Sequence, residues 1–331
     1  MLRTLRDVGA FGGAVALLLL AACGASPPVA EDPPRPEEVP PLEAREIARP
    51  EAQPEAQTEA QTEARPLVVD RAEVHHLTSR INQVTYELRV SVPHGYGADD
   101  GRRFPVVFTL DPHYSFLIAR NITDHMAERG DLPEVVVVGV GYRGQEPGSS
   151  PSYRRNRTRD YTPTLVPEGG YGPEIQRLSG GGPEFLEVLE TELLPFIDGH
   201  YRTQPGARAL VGHSYGGLFS VWSLLTRPGL FSGHVAVSPS LWYDGRLALR
   251  LEEEFARRHD DLPARLYLCV GAREGSRQRD MVGDLRELAR RLEGRSYPNL
   301  ALASRVLDDE THNSVFPACL SNGLRHVLEG R

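Results

Sequence analysis

The chain has 331 residues and a formal net charge of −8, and all 37 of its basic residues are arginine. The absence of lysine excludes a Schiff-base lysine, a phosphate-loop lysine and a Ser-Lys dyad, and the lack of a basic excess leaves no electrostatic footprint for nucleic acid. Residues 24–66 hold ten acids against four arginines, so the part of the chain that can fold into a core is only mildly acidic.

In chain order, Arg3 and Arg6 precede an apolar run from Ala14 to Ala22 that is too short for a comfortable membrane span. Residues 1–22 therefore read as a signal peptide. Leu20-Ala21-Ala22-Cys23 resembles a bacterial lipobox, which implies cleavage before Cys23 and lipidation of its thiol. Gly24 stands where an Asp would hint at inner-membrane retention, so the expected location is the cell envelope, with the outer membrane favoured. Residues 23–66 are rich in Pro, Glu, Ala and Gln and repeat a four-residue unit, as in Glu55-Ala56-Gln57-Thr58 and Glu59-Ala60-Gln61-Thr62. Such a composition buries too little apolar surface to offset its ordering entropy and reads as a tether.

Residues 67–331 have the length of one α/β domain. Leu67–His75 and Gln83–Val92 read as antiparallel strands. Apolar strands then alternate with helices, and the unbroken Val135-Val136-Val137-Val138 suits a sheet covered on both faces. The alternation predicts a mostly parallel sheet with helices on both sides. The Gly/Pro/Arg-rich stretch from Gly141 to Gly182 lacks periodicity and is predicted as a functional loop. Of the three cysteines, Cys23 goes to lipid, and Cys269 and Cys319 are expected as two buried thiols.

Gly212-His213-Ser214-Tyr215-Gly216 lies between the strand Ala207–Gly212 and a helix beginning near Gly216. A sharp strand-to-helix turn strains the backbone at its serine and leaves no room for side chains two positions either side, which predicts Gly212 and Gly216. Ser214 is thus the candidate nucleophile. A hydroxyl needs a base, and His312, past the last predicted strand, has the required order in the chain. His213 beside the serine is expected to pack or to line the rim. Glu274 is the favoured acid, and Asp280 is its competitor at a predicted helix N-cap. The oxyanion donors are expected to be the backbone N–H groups of Tyr215 and His113, with Tyr114 second, because Pro112 has no N–H.

Gly212 to Phe219, Arg227-Pro228-Gly229-Leu230-Phe231 and Ser238-Pro239-Ser240-Leu241-Trp242 together resemble an esterase family of α/β-hydrolases. That family holds esterase D-like enzymes, mycolyltransferases and the ferric-enterobactin and salmochelin esterases. Arg157-Thr158-Arg159-Asp160-Tyr161-Thr162-Pro163 and Glu310-Thr311-His312-Asn313-Ser314 are similar to the siderophore-esterase branch. The resemblance implies an α/β-hydrolase fold, Ser214 and His312 as nucleophile and base, and Arg157, Arg159 and Trp242 facing the acyl or catecholate part of the substrate. One departure is Asp111-Pro112, where family members commonly have Gly after the Asp.

The expected chemistry is two-step acyl transfer on a small-molecule ester, with no metal and no organic cofactor. An acyltransferase is a variant of that chemistry. The alternative class is a non-catalytic lipoprotein that binds ligands or partners on a hydrolase scaffold.

Overall fold

A computed structural model describes residues 67–98, 101–146, 148–167, 169–276 and 279–330. The predicted signal peptide, Cys23 and the tether lie outside the described residues. Alternate residues of the central strands feed two different cores. Val106, Phe108 and Leu110 pack on one face of the sheet, while Val107 packs on the other. Val136 and Val138 likewise oppose Val135 and Val137. This is why the run of valines shows no polar alternation: neither face meets water.

The strands are β1 (Ala72–Thr78), β2 (Thr85–Ser91), β3 (Phe104–Leu110), β4 (Val136–Tyr142), β5 (Thr203–His213), β6 (Gly233–Val237), β7 (Ala264–Gly271) and β8 (Leu300–Leu307). They form one sheet in the order β1-β2-β4-β3-β5-β6-β7-β8. The β1–β2 and β2–β4 pairs are antiparallel and all the others are parallel. This is the α/β-hydrolase arrangement expected from the sequence.

The helices are α1 (Pro112–Glu128), α2 (Pro151–Asp160), α3 (Pro173–Gln176), α4 (Gly182–Val188), α5 (Leu194–His200), α6 (Tyr215–Thr226), α7 (Tyr243–Ala256), α8 (Met281–Arg295) and α9 (Phe316–Leu328). A π-helical turn, Leu189–Leu193, joins α4 to α5. Phe185, Leu218, Phe255 and Leu285 from α4, α6, α7 and α8 cover one face, and Phe116 from α1 with Phe316 and Leu320 from α9 cover the other.

Two expectations are corrected. The stretch predicted as a loop between Gly141 and Gly182 contains α2 and α3. Helix α2 hides its periodicity because the face it buries is polar: Arg157, Thr158 and Asp160 go inside beside Tyr153. The second concerns the cysteines. Cys269 of β7 and Cys319 of α9 form a disulfide, with Cα atoms 5.8 Å apart. Packing of α9 across the sheet brings together two residues 50 apart in sequence, a proximity that spacing alone could not reveal. On the chain-entropy model, closing a loop of 50 residues stabilises the fold by about 4 kcal/mol. Reduction, or the double change Cys269→Ser with Cys319→Ser, is therefore expected to shift the urea midpoint to lower concentration. Superimposable oxidised and reduced curves would refute it.

Candidate active site

The parallel strands end on one edge, where open α/β sheets place their ligands. Asp111 follows β3, Ser214 follows β5, Ser238 follows β6, Glu274 lies just past β7, and His312 follows β8. Ser214 occupies the junction of β5 and α6 with φ 61° and ψ −117°, a strained conformation for a residue with a side chain. Its N–H donates to the Val237 carbonyl at 3.0 Å, and its carbonyl accepts from Ser240 N–H at 3.1 Å.

The glycine requirement of this turn differs from the sequence reading at one position. A Cβ on Gly212 would lie 2.1 Å from the Gly216 carbonyl oxygen, and one on Gly217 would lie 2.8 Å from the Val237 carbonyl oxygen. A Cβ on Gly216 would meet Leu110 at an ordinary 3.5 Å. The tight positions are thus Gly212 and Gly217, because β6 and the start of α6 crowd them. Gly216→Ala is expected to leave thermal stability within about 1 kcal/mol, whereas Gly212→Ala costs several times that by forcing backbone apart. Melting curves of the two variants check the ranking, and equal losses would contradict it.

The three candidate triad residues are placed as follows. Glu274 has a buried side chain; its Oε1 accepts from Ser238 Oγ at 2.7 Å and from Gly271 N–H at 2.8 Å. Its Oε2 accepts from His312 Nδ1–H at 2.6 Å. That bond sets the tautomer, leaving Nε2 as the basic nitrogen. His312 and Ser214 line one cavity of 580 Å³. Asp280, the competing acid, instead caps α8 by accepting from Gly283 N–H at 2.8 Å. The sequence reading missed Ser238 and Ser240. Ser238 holds Glu274, and Ser240 Oγ lies 3.5 Å from Ser214 Oγ. Both belong to the Ser238-Pro239-Ser240 motif, the only sequence signal that pointed at them.

His213 packs its ring against that of His312, with centroids 4.5 Å apart. Burial pushes its pKa well below the ordinary histidine value, and the nearby His312 and Arg157 add to the shift, so it stays neutral at pH 7. It also lines the cavity.

Two helices begin in the site. Tyr215 is the first residue of α6, and Pro112 and His113 are the first two of α1. The first N–H groups of a helix have no internal partner and face outward with the positive end of the dipole. Pro112 stands at the first helical position, where its missing N–H would have had no partner within the helix. It fits there because β4 is bare: a Cβ on Gly139 or Gly141 would come within 2.7 Å of the proline ring. Tyr114 N–H is engaged by the Asp111 carbonyl at 3.3 Å, which leaves His113 as the better-placed donor.

The three residues expected to face substrate are placed differently from one another. Trp242 lines the cavity. Arg159 does not; it is drawn to Asp160, with Nε donating to Oδ1 at 2.6 Å, and lies over the Tyr142 ring. The carboxylate is its immediate neighbour in sequence, so local pairing outcompetes the cavity. Arg157 lines the cavity but is buried and paired with Asp111. The arginine that the sequence reading overlooked is Arg279, whose guanidinium lies 4.3 Å from the centroid of Trp242. Among the described residues, no carboxylate pairs with it and no Asp or Glu lines the cavity. No cluster of His, Cys, Asp or Glu among the described residues is arranged to hold a metal ion.

A family model described as "Putative esterase" matches residues 79–301. The chain belongs to this esterase family. It is 31% identical over 271 residues to the ferri-bacillibactin esterase BesA of Bacillus subtilis, covering 77% of this chain and 89% of that one. It is 28% identical to the siderophore enterobactin esterase of Emericella nidulans, covering 72% and 88%. Among solved structures, the BES protein from Bacillus cereus superposes with a TM-score of 0.70 at 26% identity, over 81% of this chain and 99% of the other. The protein is an ester hydrolase with the α/β-hydrolase fold.

Proposed function

We propose that this protein is an envelope-anchored serine esterase that opens the ester bonds of siderophores. Ser214 Oγ attacks the ester carbonyl while His312 Nε2 takes its proton. The oxyanion forms against the N–H groups of Tyr215 and His113, at the starts of α6 and α1, both of which line the cavity. The imidazolium, balanced by Glu274, returns the proton to the leaving alkoxide. Water then hydrolyses the acyl-enzyme by the same proton route. The observation that carries this reading is the hydrogen-bonded line from Ser238 through Glu274 to His312, ending in the cavity that Ser214 shares.

The substrate class is supported by the relatives' activities and by the cavity's own chemistry. The rings of Tyr153, Tyr171 and Trp242, with Arg279 as a cation with which no carboxylate among the described residues pairs, favour planar anionic groups over neutral acyl chains. A panel comparing catecholate trilactones with simple nitrophenyl esters tests it. Rapid turnover of acetyl esters with none of the trilactone would sink the siderophore assignment. Arg279→Gln is expected to lower the kcat/KM ratio of catecholate over neutral ester by about tenfold, the loss of one charged contact. An unchanged ratio would remove Arg279 from substrate selection.

The envelope location rests on the lipobox at Cys23, and the disulfide supports it because such bonds persist in oxidising compartments. Cys23→Ala should move the protein from the membrane to the soluble fraction. Retention in the membrane would count against the lipid anchor.

A further inference from the structure

We infer that Arg157 is a positioning residue: its buried guanidinium clamps the turn carrying the second oxyanion donor to the turn carrying Ser214. This inference rests on the serine-esterase reading above. Arg157 Nε and Nη2 donate to the two carboxylate oxygens of Asp111 at 3.3 and 3.1 Å. Nη2 also donates to the His213 carbonyl at 3.1 Å, and Nη1 donates to the Tyr171 hydroxyl at 2.7 Å. Four of the five N–H groups of the guanidinium are thus committed within the protein. Both side chains of the ion pair are 2% exposed. Around the cation stand the rings of Tyr153, Tyr161, Tyr171 and Tyr215, with centroids 5.1 to 6.0 Å away.

What the pair holds is more informative than the pair itself, since a buried ion pair is weak evidence for stability. Asp111 has φ 56° and ψ 55°, immediately before a proline, and Ser214 has φ 61°. Residues with side chains keep such conformations only where surrounding contacts over-determine them. Arg157 touches both turns. It binds the carboxylate of Asp111, two residues before the His113 N–H. It also binds the carbonyl of the His213–Ser214 peptide, whose N–H donates to Val237 on its other edge. One rigid fork therefore fixes the spacing between nucleophile and oxyanion donor. An ammonium carries its three N–H donors on one nitrogen and cannot span the four acceptor atoms that the fork meets from three nitrogens. Arg157 also has little charge left for a substrate, because Asp111 neutralises it. That separates it from Arg279, with which no carboxylate among the described residues pairs.

The test compares Arg157→Lys and Asp111→Asn with the wild type on a neutral nitrophenyl ester, with thermal melts alongside. The expected result is a loss of about 100-fold in kcat with KM changed by less than about threefold, the pattern of an interaction used in the transition state. Fluorophosphonate labelling of Ser214 should slow in proportion, since phosphonylation needs the same hole. A normal kcat in either folded variant overturns the clamp. So does a loss confined to KM, the signature of substrate binding. Should both variants be unfolded at the assay temperature, the pair serves the fold rather than the site and the inference fails. Wild-type turnover that survives Ser214→Ala would sink the serine-esterase reading itself, an outcome distinct from any of these.

Discussion

Ser214→Ala is expected to lower kcat on an activated ester by about a million-fold, the scale seen when a triad nucleophile is removed. The fold should survive it. The Ser214 hydroxyl has one long contact, 3.5 Å to Ser240 Oγ, so little native bonding is lost. The backbone strain at φ 61° is common to serine and alanine. The variant should melt near the wild type and take up no fluorophosphonate label. Labelling that persists in it would move the nucleophile elsewhere and undo the assignment built on this turn.

Glu274→Gln is expected to cost about 10⁴-fold in kcat with little change in fold, by analogy with amide replacement of a triad acid. The change is isosteric. The amide oxygen can still accept from Ser238 and Gly271, which fixes the amide nitrogen towards His312 Nδ1. A donor there demands an acceptor at Nδ1, so the proton moves to Nε2 and the base faces Ser214 in the wrong tautomer. Asp280 gives the opposite pattern. Asp280→Ala removes an N-cap and should cost about 1 kcal/mol of stability with kcat retained. Glu274→Gln with kcat within tenfold of wild type would mean a Ser-His dyad that does not depend on its acid.

Wherever local patterning fixed a feature, the sequence carried it. Strand β5 contains the predicted Ala207–Gly212, and the alternation of apolar strands with helices gave the sheet its mostly parallel character. The order Ser214, Glu274, His312 was readable because each follows a strand, and a parallel sheet must bring strand ends to one edge. The glycines around Ser214 were readable in kind but not in position, since the tight contacts at Gly212 and Gly217 are with β6 and the helix start.

The features the sequence hid are those that depend on what a side chain meets across space. Helix α2 escaped a hydrophobic count because it buries Arg157, Thr158 and Asp160. The three arginines look alike in sequence. Packing alone separates Arg157, neutralised by Asp111 between two turns, from Arg159, taken by its neighbour Asp160, and from Arg279, stacked on Trp242 with no carboxylate partner among the described residues. The bond between Cys269 and Cys319 needed α9 laid across β7. The sequence by itself determined the fold and the order of Ser214 and His312, because these follow from period, turn and order along one chain; the esterase chemistry came with the family's motifs, and Glu274 was parted from Asp280 only by its hydrogen bond to His312. Only the tertiary structure decided which of these charges are paired within the protein, because pairing energy depends on distance and burial, and neither is written in spacing.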